Sequence, residues 1–269
     1  MTQKKQSQKK EWVRQRYGAI ASTEESCCEQ PACECASSTN IARKIGYSGH
    51  DLAAAPEGAN LGLGCGNPLA LAQVKPGESV LDLGSGAGLD VFLAANRVGP
   101  AGQVIGVDMT LEMIERAQAH AVQGGYANVE FRLGDIEDLP VTDGSVDLVI
   151  SNCVLNLVPD KPRAFREIVR VLKPGGRIAI SDIVLDASLP DALRGDEDAW
   201  CSCIAGAVSR SDYLAALADA GLEDIRVVSE ADAAELLAGD CCGAGAPGLA
   251  GIVTSVQVVG RKPVSCGCG

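Results

Sequence analysis

The residues in this sequence best equipped for chemistry are its cysteines. There are twelve among 269 residues. Most fall in adjacent or alternate pairs: Cys27-Cys28, Cys33 and Cys35, Cys201 and Cys203, Cys241-Cys242, Cys266 and Cys268. Cys65 and Cys153 stand alone. No C-x-x-C half-site of structural zinc occurs, and His50 and His120 are the only imidazoles. A disulfide framework belongs to short exported chains, and the first 16 residues (six Lys/Arg, one Glu, no apolar segment) do not read as a signal peptide. Thiols spaced this way suit a soft, thiophilic ion better than tetrahedral zinc.

The second reactive-looking stretch is Val80-Leu81-Asp82-Leu83-Gly84-Ser85-Gly86-Ala87-Gly88. It reads as a buried strand running into a glycine loop, and the apolar residues 89–95 then read as a helix. Glycine suits a loop whose backbone must approach a ligand or adopt positive φ. Its spacing is G-x-G-x-G, and Leu89 stands where a dinucleotide loop wants a small residue. A second strand, 104–107, ends at Asp108 about 20 residues on, where a carboxylate can bind both ribose hydroxyls. Met109 behind it can cover a flat purine. These features resemble the class I S-adenosylmethionine methyltransferases, a resemblance strengthened by the third strand ending at Gly134-Asp135-Ile136.

Such groups need a scaffold, and the pattern supplies one. Strands over 79–83, 103–107, 128–133, 146–150 and 176–182 alternate with helices over 88–97, 110–123 and 161–172. That alternation predicts a parallel, doubly wound α/β sheet. Lys173-Pro174-Gly175-Gly176 reads as a stop and turn before the fifth strand. Upstream, residues 11–20 predict a short helix ending near Gly18, residues 21–40 a mobile loop, 41–60 a turn and an alanine-rich segment, and 68–73 a helix. Downstream, helix 211–221, strand 224–229 and a closing strand 252–261 follow a partly helical 186–207. The division expected is an N-terminal cysteine-bearing segment (1–74), a donor-binding core (75–185) and a C-terminal region (186–269) that completes the sheet.

The net charge of −12 argues against a nucleic-acid surface, and no apolar run reaches 18 residues, so no membrane span is expected. A soluble, cytoplasmic protein is the expectation. In open α/β sheets ligands lie beyond the carboxyl ends of the strands, where strand order reverses. The first strand borders that switch and the fourth is its neighbour, so Ser151-Asn152-Cys153-Val154 should face the donor methyl. A lone cysteine at a strand end is commonly a small hydrophobe; eleven further cysteines weigh against that here.

Three further segments sharpen the resemblance: Asn60-Leu61-Gly62-Leu63-Gly64-Cys65-Gly66-Asn67-Pro68, the run from Ser151 through Asn152-Cys153-Val154-Leu155-Asn156-Leu157 to Pro162, and Cys203-Ile204-Ala205-Gly206-Ala207. With Val107-Asp108-Met109-Thr110 they resemble the arsenite S-adenosylmethionine methyltransferases, from about Tyr17 through Ala207. The resemblance implies a Rossmann-like class I methyltransferase with a C-terminal arsenic-binding region. It implies that Cys153 and Cys203 hold trivalent arsenic, with Cys65 as a third thiol. It also implies a fourth cysteine upstream, Cys35 or one of Cys27, Cys28 and Cys33. A disulfide between that cysteine and Cys65 would return arsenic to the trivalent state, to be reopened by a thiol reductant of the thioredoxin or glutathione type.

By the same resemblance Tyr17 lies over the donor, Asp82 shapes its amino-acid end together with Gly84, Ser85, Gly86 and Gly88, and Asp135 and Ile136 meet the adenine. Asn67 and Asn152 are candidates for local polar contacts, Asn152 being counted among the donor-binding residues, and Cys201 could substitute for Cys203. Two other readings stand beside this one: a methyltransferase for a small organic nucleophile, and a thiol-rich metalloid-binding protein on a methyltransferase fold.

Overall fold

A computed structural model describes residues 3–22, 37–234 and 249–264. Seven strands form one sheet in the order β3-β2-β1-β4-β5-β7-β6. They are β1 (Ser79–Leu83), β2 (Gln103–Asp108), β3 (Val129–Leu133), β4 (Val146–Asn152), β5 (Leu172–Leu185), β6 (Glu223–Asp232) and β7 (Val253–Arg261). The first five are parallel, and β1 lies between β2 and β4, so strand order reverses at β1 as expected. The five strands expected to be parallel are so, and the closing strand β7, for which the sequence pattern gave no direction, runs antiparallel to both β5 and β6.

Because successive side chains leave a strand on opposite faces, β1 feeds two cores. Leu81 and Leu83 join Phe165 and Ile168 of α6 (Lys161–Val171) and Tyr213 and Leu217 of α8 (Arg210–Asp219). Val80 joins Val91 and Phe92 of α4 (Leu89–Val98) and Ile114 and Ala117 of α5 (Leu111–Gly124) on the other face. Phe92 anchors that second core, with Tyr126 and Phe131 at ring-centroid distances of 4.7 and 5.7 Å. A third cluster covers the carboxyl ends of the strands. It joins Val13 of α1 (Gln3–Ser22), Ala199, Trp200 and Cys201 of α7 (Glu197–Cys201), Cys65 and Cys203.

Several boundaries differ from expectation. Helix α1 continues through Gly18 to Ser22. There the absent side chain lets α1 cross α5, since a Cβ would lie 3.2 Å from Glu112 Oε2. Residues of the expected loop at 21–40 enter α2 (Ser38–Lys44), capped by the Ser37 hydroxyl, and α3 (Gly49–Ala54) starts in a Ser48–Asp51 capping box. The expected helix at 68–73 is a single 3₁₀ turn, Pro68–Ala70. Pairing of β5 starts at Leu172, before Lys173-Pro174-Gly175-Gly176, and a register shift between Val146 and Leu148 absorbs the turn residues.

Near the end of β5, Asp182 is fully buried. Its carboxyl accepts Asn156 Nδ2 (2.8 Å), the Ile183 N–H (2.9 Å) and Tyr213 Oη (3.2 Å). Burial pushes its pKa up to about 7, opposed by those hydrogen bonds and by Lys161.

Two stability predictions follow. Phe92→Ala opens a cavity against Tyr126 and Phe131 and should lower unfolding free energy by about 3–5 kcal/mol, read as a lower urea midpoint at unchanged slope. For Asp182, the folded pKa exceeds that of an unfolded carboxyl, about 3.9. The stability tied to its proton is full below that value and is lost as pH rises through about 7. Asp182→Asn removes this loss, so its effect on Tm should be more favourable at about pH 8 than at about pH 5. An equal Tm change at both would contradict the assignment.

Candidate active site

The carboxyl ends of β1, β2 and β4 open into a cavity of about 910 Å³. The glycine loop forms its floor, with Gly84 and Gly86 at φ of 65° and 50°. Asp82, Ser85, Asp108, Met109, Asp135, Ile136, Asn152 and Tyr17 all line it. Gly88 does not. It starts α4 at φ 98°, and a Cβ there would lie 2.6 Å from Phe92 and 2.9 Å from Phe131, so its role is to let the helix pack.

Three carboxyls crowd the cavity wall, Asp82 and Asp90 buried and Asp108 half-buried. Burial, then the neighbouring Asp90 and Asp108, pushes Asp82 well above the usual carboxylate range, and among the described residues no hydrogen-bond donor reaches it. Burial raises Asp90 to about 6, against the opposing hydrogen bond from Tyr47 Oη, 2.7 Å from Oδ1. Burial also raises Asp108, whose two oxygens accept the Thr110 and Gly86 N–H groups at 2.9 and 3.0 Å. Three carboxyls in one low-dielectric cavity favour a cationic ligand. An unpartnered Asp82, an Asp108 with lone pairs to spare, a side-chain-free loop and the apolar Met109 and Ile136 fit the ammonium, ribose and purine of S-adenosylmethionine.

Helix α1 straps the cavity. Lys10 Nζ reaches Asp135 Oδ2 (2.6 Å) and Glu137 Oε2 (2.5 Å), so the carboxylate assigned to adenine is also an anchor for α1. Tyr17 Oη donates to the Cys201 carbonyl at 3.1 Å, and Lys9 lies 3.3 Å from the Trp200 ring centroid. These ties explain how a largely polar helix is held over the site.

The thiols gather at one end of the same cavity. Cys153 follows β4 directly, Cys203 follows α7, and Cys65 sits in the loop before Pro68. Cys153 and Cys203 both have left-handed backbones, φ 58° and 64°, a conformation costing roughly 1–3 kcal/mol for such residues and concentrated at functional sites. The Cys153 N–H donates to the Ser181 carbonyl (2.8 Å), and its own carbonyl accepts Cys203 Sγ (2.7 Å). The Cys153 side chain meets those of Cys203 and Cys65, and these contacts, followed by burial, push its thiol pKa well up. The Cys153 contact lowers that of Cys203, but burial prevails and raises it. Cys201, raised to about 11 by burial, lines the cavity as well. Among the described residues no three Cys, His, Asp or Glu side chains form a ready-made metal cage. The contacts run pairwise through Cys153, with Cys203 turned toward a carbonyl. Cys27, Cys28, Cys33 and Cys35 lie outside the described residues, as do Cys241, Cys242, Cys266 and Cys268.

The loop carrying Cys203 docks on the one carrying Cys153. A Cβ at Gly206 would lie 1.9 Å from the Asn156 carbonyl oxygen, and Lys161 Nζ donates to the Gly206 carbonyl at 2.6 Å. Sequence reasoning assigned nothing to Lys10, Tyr47, Asp90 or Lys161. Asn156 stood inside the quoted motif without a role. The only signals were an acid in the first turn of α4 and an asparagine on each side of Cys153.

A methyltransferase-domain family matches residues 74–221. An arsenite methyltransferase from Halobacterium salinarum is 47% identical over 85% of this chain and 61% of its own length. One from Aquipseudomonas alcaligenes is 45% identical over 62% of this chain and 50% of its own. The chain thus spans about half to three-fifths of the length of these two relatives. The crystal structure of an arsenic(III) S-adenosylmethionine methyltransferase from Chlamydomonas reinhardtii superposes with a TM-score of 0.63 at 31% identity, covering 84% of this chain and 74% of that one. On fold, on sequence and on coverage of that structure, this chain belongs to the arsenic(III) S-adenosylmethionine methyltransferase family.

Proposed function

We propose that this protein methylates trivalent arsenic with S-adenosylmethionine as donor, the arsenic being held by Cys153, Cys203 and Cys65. The observation that carries this reading is the meeting of the Cys65 and Cys203 thiols on Cys153, one loop away from the glycine floor of the cavity. Bound S-adenosylmethionine supplies an electrophilic methyl on a sulfonium centre. Asp82 would hold its ammonium and Asp108 its ribose, with Met109 and Ile136 against the base.

Arsenic(III) is soft, and thiol sulfur is its matching ligand. When arsenous acid condenses with three thiols, each sulfur replaces one hydroxyl and each thiol proton leaves with it as water. The upward-shifted pKa values of Cys153 and Cys203 keep those protons in place until they are needed. The resulting three-coordinate arsenic keeps a lone pair and carries no proton, so the chain needs no general base there. Its task is placement, which alone can supply a large share of barrier reduction.

Methylation takes arsenic from the trivalent to the pentavalent state. We assign the reduction to Cys65 with an upstream cysteine, Cys35 or one of its neighbours: the upstream thiol attacks the arsenic-bound Cys65 sulfur and loses its proton to solvent, the S–S bond forms as the Cys65–arsenic bond breaks, and the electron pair of that bond returns arsenic to the trivalent state. An external reductant of the thioredoxin or glutathione type then reopens the disulfide. Conversion of arsenite to methylated forms would place the protein in arsenic detoxification.

The decisive measurement is arsenic speciation after incubating purified protein with arsenite, S-adenosylmethionine and a thiol. Methylated arsenic is expected from the wild type, with Cys153→Ser reduced at least about 100-fold. Asp108→Asn should weaken S-adenosylmethionine binding about tenfold while leaving arsenite binding intact. Tight arsenite binding without product would instead indicate a metalloid-binding protein, and neither binding nor product an organic substrate. Cys65→Ser should retain less multiple turnover than single turnover. Full multi-turnover methylation by that variant without added thiol would remove Cys65 from the redox step.

A further inference from the structure

Asn152 is the last residue of β4 and directly precedes Cys153. Its amide is spent on protein partners. Oδ1 accepts the Cys65 backbone N–H at 3.0 Å. Nδ2 donates to the Gly66 carbonyl at 2.8 Å and to Tyr47 Oη at 3.0 Å, and lies 3.4 Å from Asp90 Oδ2. An amide has two N–H hydrogens, so its donor capacity is exhausted. The orientation is fixed by the same partners, because a flipped amide would set N–H against N–H at Cys65 and oxygen against oxygen at Gly66.

The loop is shaped around this side chain. At Gly64, φ is 116° and a Cβ would lie 2.8 Å from the Asn152 amide. At Gly66, a Cβ would lie 2.7 Å from Ser181 Oγ. The glycines flanking Cys65 therefore let the backbone close on Asn152 from one side and on β5 from the other. Tyr47, which receives one Asn152 hydrogen, passes its own to Asp90.

We propose that Asn152 is a positioning residue, clamping residues 64–66 so that the Cys65 thiol faces Cys153 and joining that clamp to the Tyr47–Asp90 pair in the cavity wall. Its part in turnover rests on the reading that Cys65 serves the arsenic site. The clamp itself is read without any arsenic chemistry. This assignment replaces the expected cofactor contact at Asn152: the residue lines the cavity but turns its polar atoms to the thiol loop.

The test is alkylation of the full chain by iodoacetamide, mapped by peptide to each cysteine, for the wild type, Asn152→Ala and Asn152→Asp. Alanine removes both halves of the clamp. Aspartate keeps the acceptor for Cys65 but turns an oxygen toward Gly66 and Asp90. Either variant should raise Cys65 alkylation about tenfold or more while Cys203 stays within about twofold, because buried thiols react only through local opening. For Asn152→Ala, which adds no charge beside Asp90, S-adenosylmethionine affinity should stay within about threefold. Unchanged Cys65 reactivity, an equal rise at Cys203, or a loss of about tenfold or more in donor affinity for the alanine variant would overturn the proposal.

Discussion

The structure hinges on a van der Waals contact between two loops. Gly84 ends β1 at φ 65°, and a Cβ there would lie 2.5 Å from Val154 Cγ2. Because β1 and β4 are neighbours, with Leu83 opposite Ser151, these loops leave the sheet side by side. One carries the glycine floor of the cavity, the other Cys153. The strand pairing fixes where they leave the sheet and the Gly84–Val154 contact how closely they then run, so a side chain at 84 would push the two loops apart. Close-packed interiors transmit such strain instead of absorbing it. The same device recurs where Gly206 meets the Asn156 carbonyl and where Gly64 and Gly66 flank Cys65, so all three thiol-bearing loops are placed by missing methyl groups.

Charge divides the cavity along the same line. Around the glycine floor stand Asp82 and Asp90, both buried, and the half-buried Asp108. At the thiol end, the Cys153 proton is held on by the Cys203 and Cys65 contacts and by burial, and that of Cys203 by burial against its contact with Cys153. A cationic ligand is favoured at one end and a neutral, soft one at the other. Helix α1 spans both ends, through Lys10 on Asp135 and Tyr17 on the Cys201 carbonyl.

Much of this was legible in the amino-acid sequence. Apolar periodicity located β1, α4, β2 and α5 to within a residue or so, because those elements bury a face whatever surrounds them. The switch at β1 followed from alternation, and it put Cys153 beside the glycine loop. What stayed hidden depends on partners distant in the chain. Gly18 looks like a helix end until Glu112 lies against it. Gly88 looks like part of a ligand loop until Phe92 and Phe131 fill the space beside it. Asn152 looks like a ligand contact until the Cys65 loop folds onto its amide. The direction of β7 has no local signature, since reversing a strand leaves the alternation of its side chains between the two sheet faces unchanged. The left-handed backbones of Cys153 and Cys203 are likewise imposed by their surroundings, as neither residue type prefers them.

The reversed strand carries a consequence for synthesis. Ser255 of β7 donates to the Cys65 carbonyl at 2.7 Å across 190 residues of chain, and β7 also ties β6 to the sheet. A nascent polypeptide can complete the five parallel strands and their helices while the ribosome still holds the segment that seats Cys65. Contacts of such sequence separation form last and slowly. The glycine-floored half of the cavity thus has its scaffold before the thiol loop has its final anchor, and a translating cell would hold donor-competent chains before it holds thiol-competent ones.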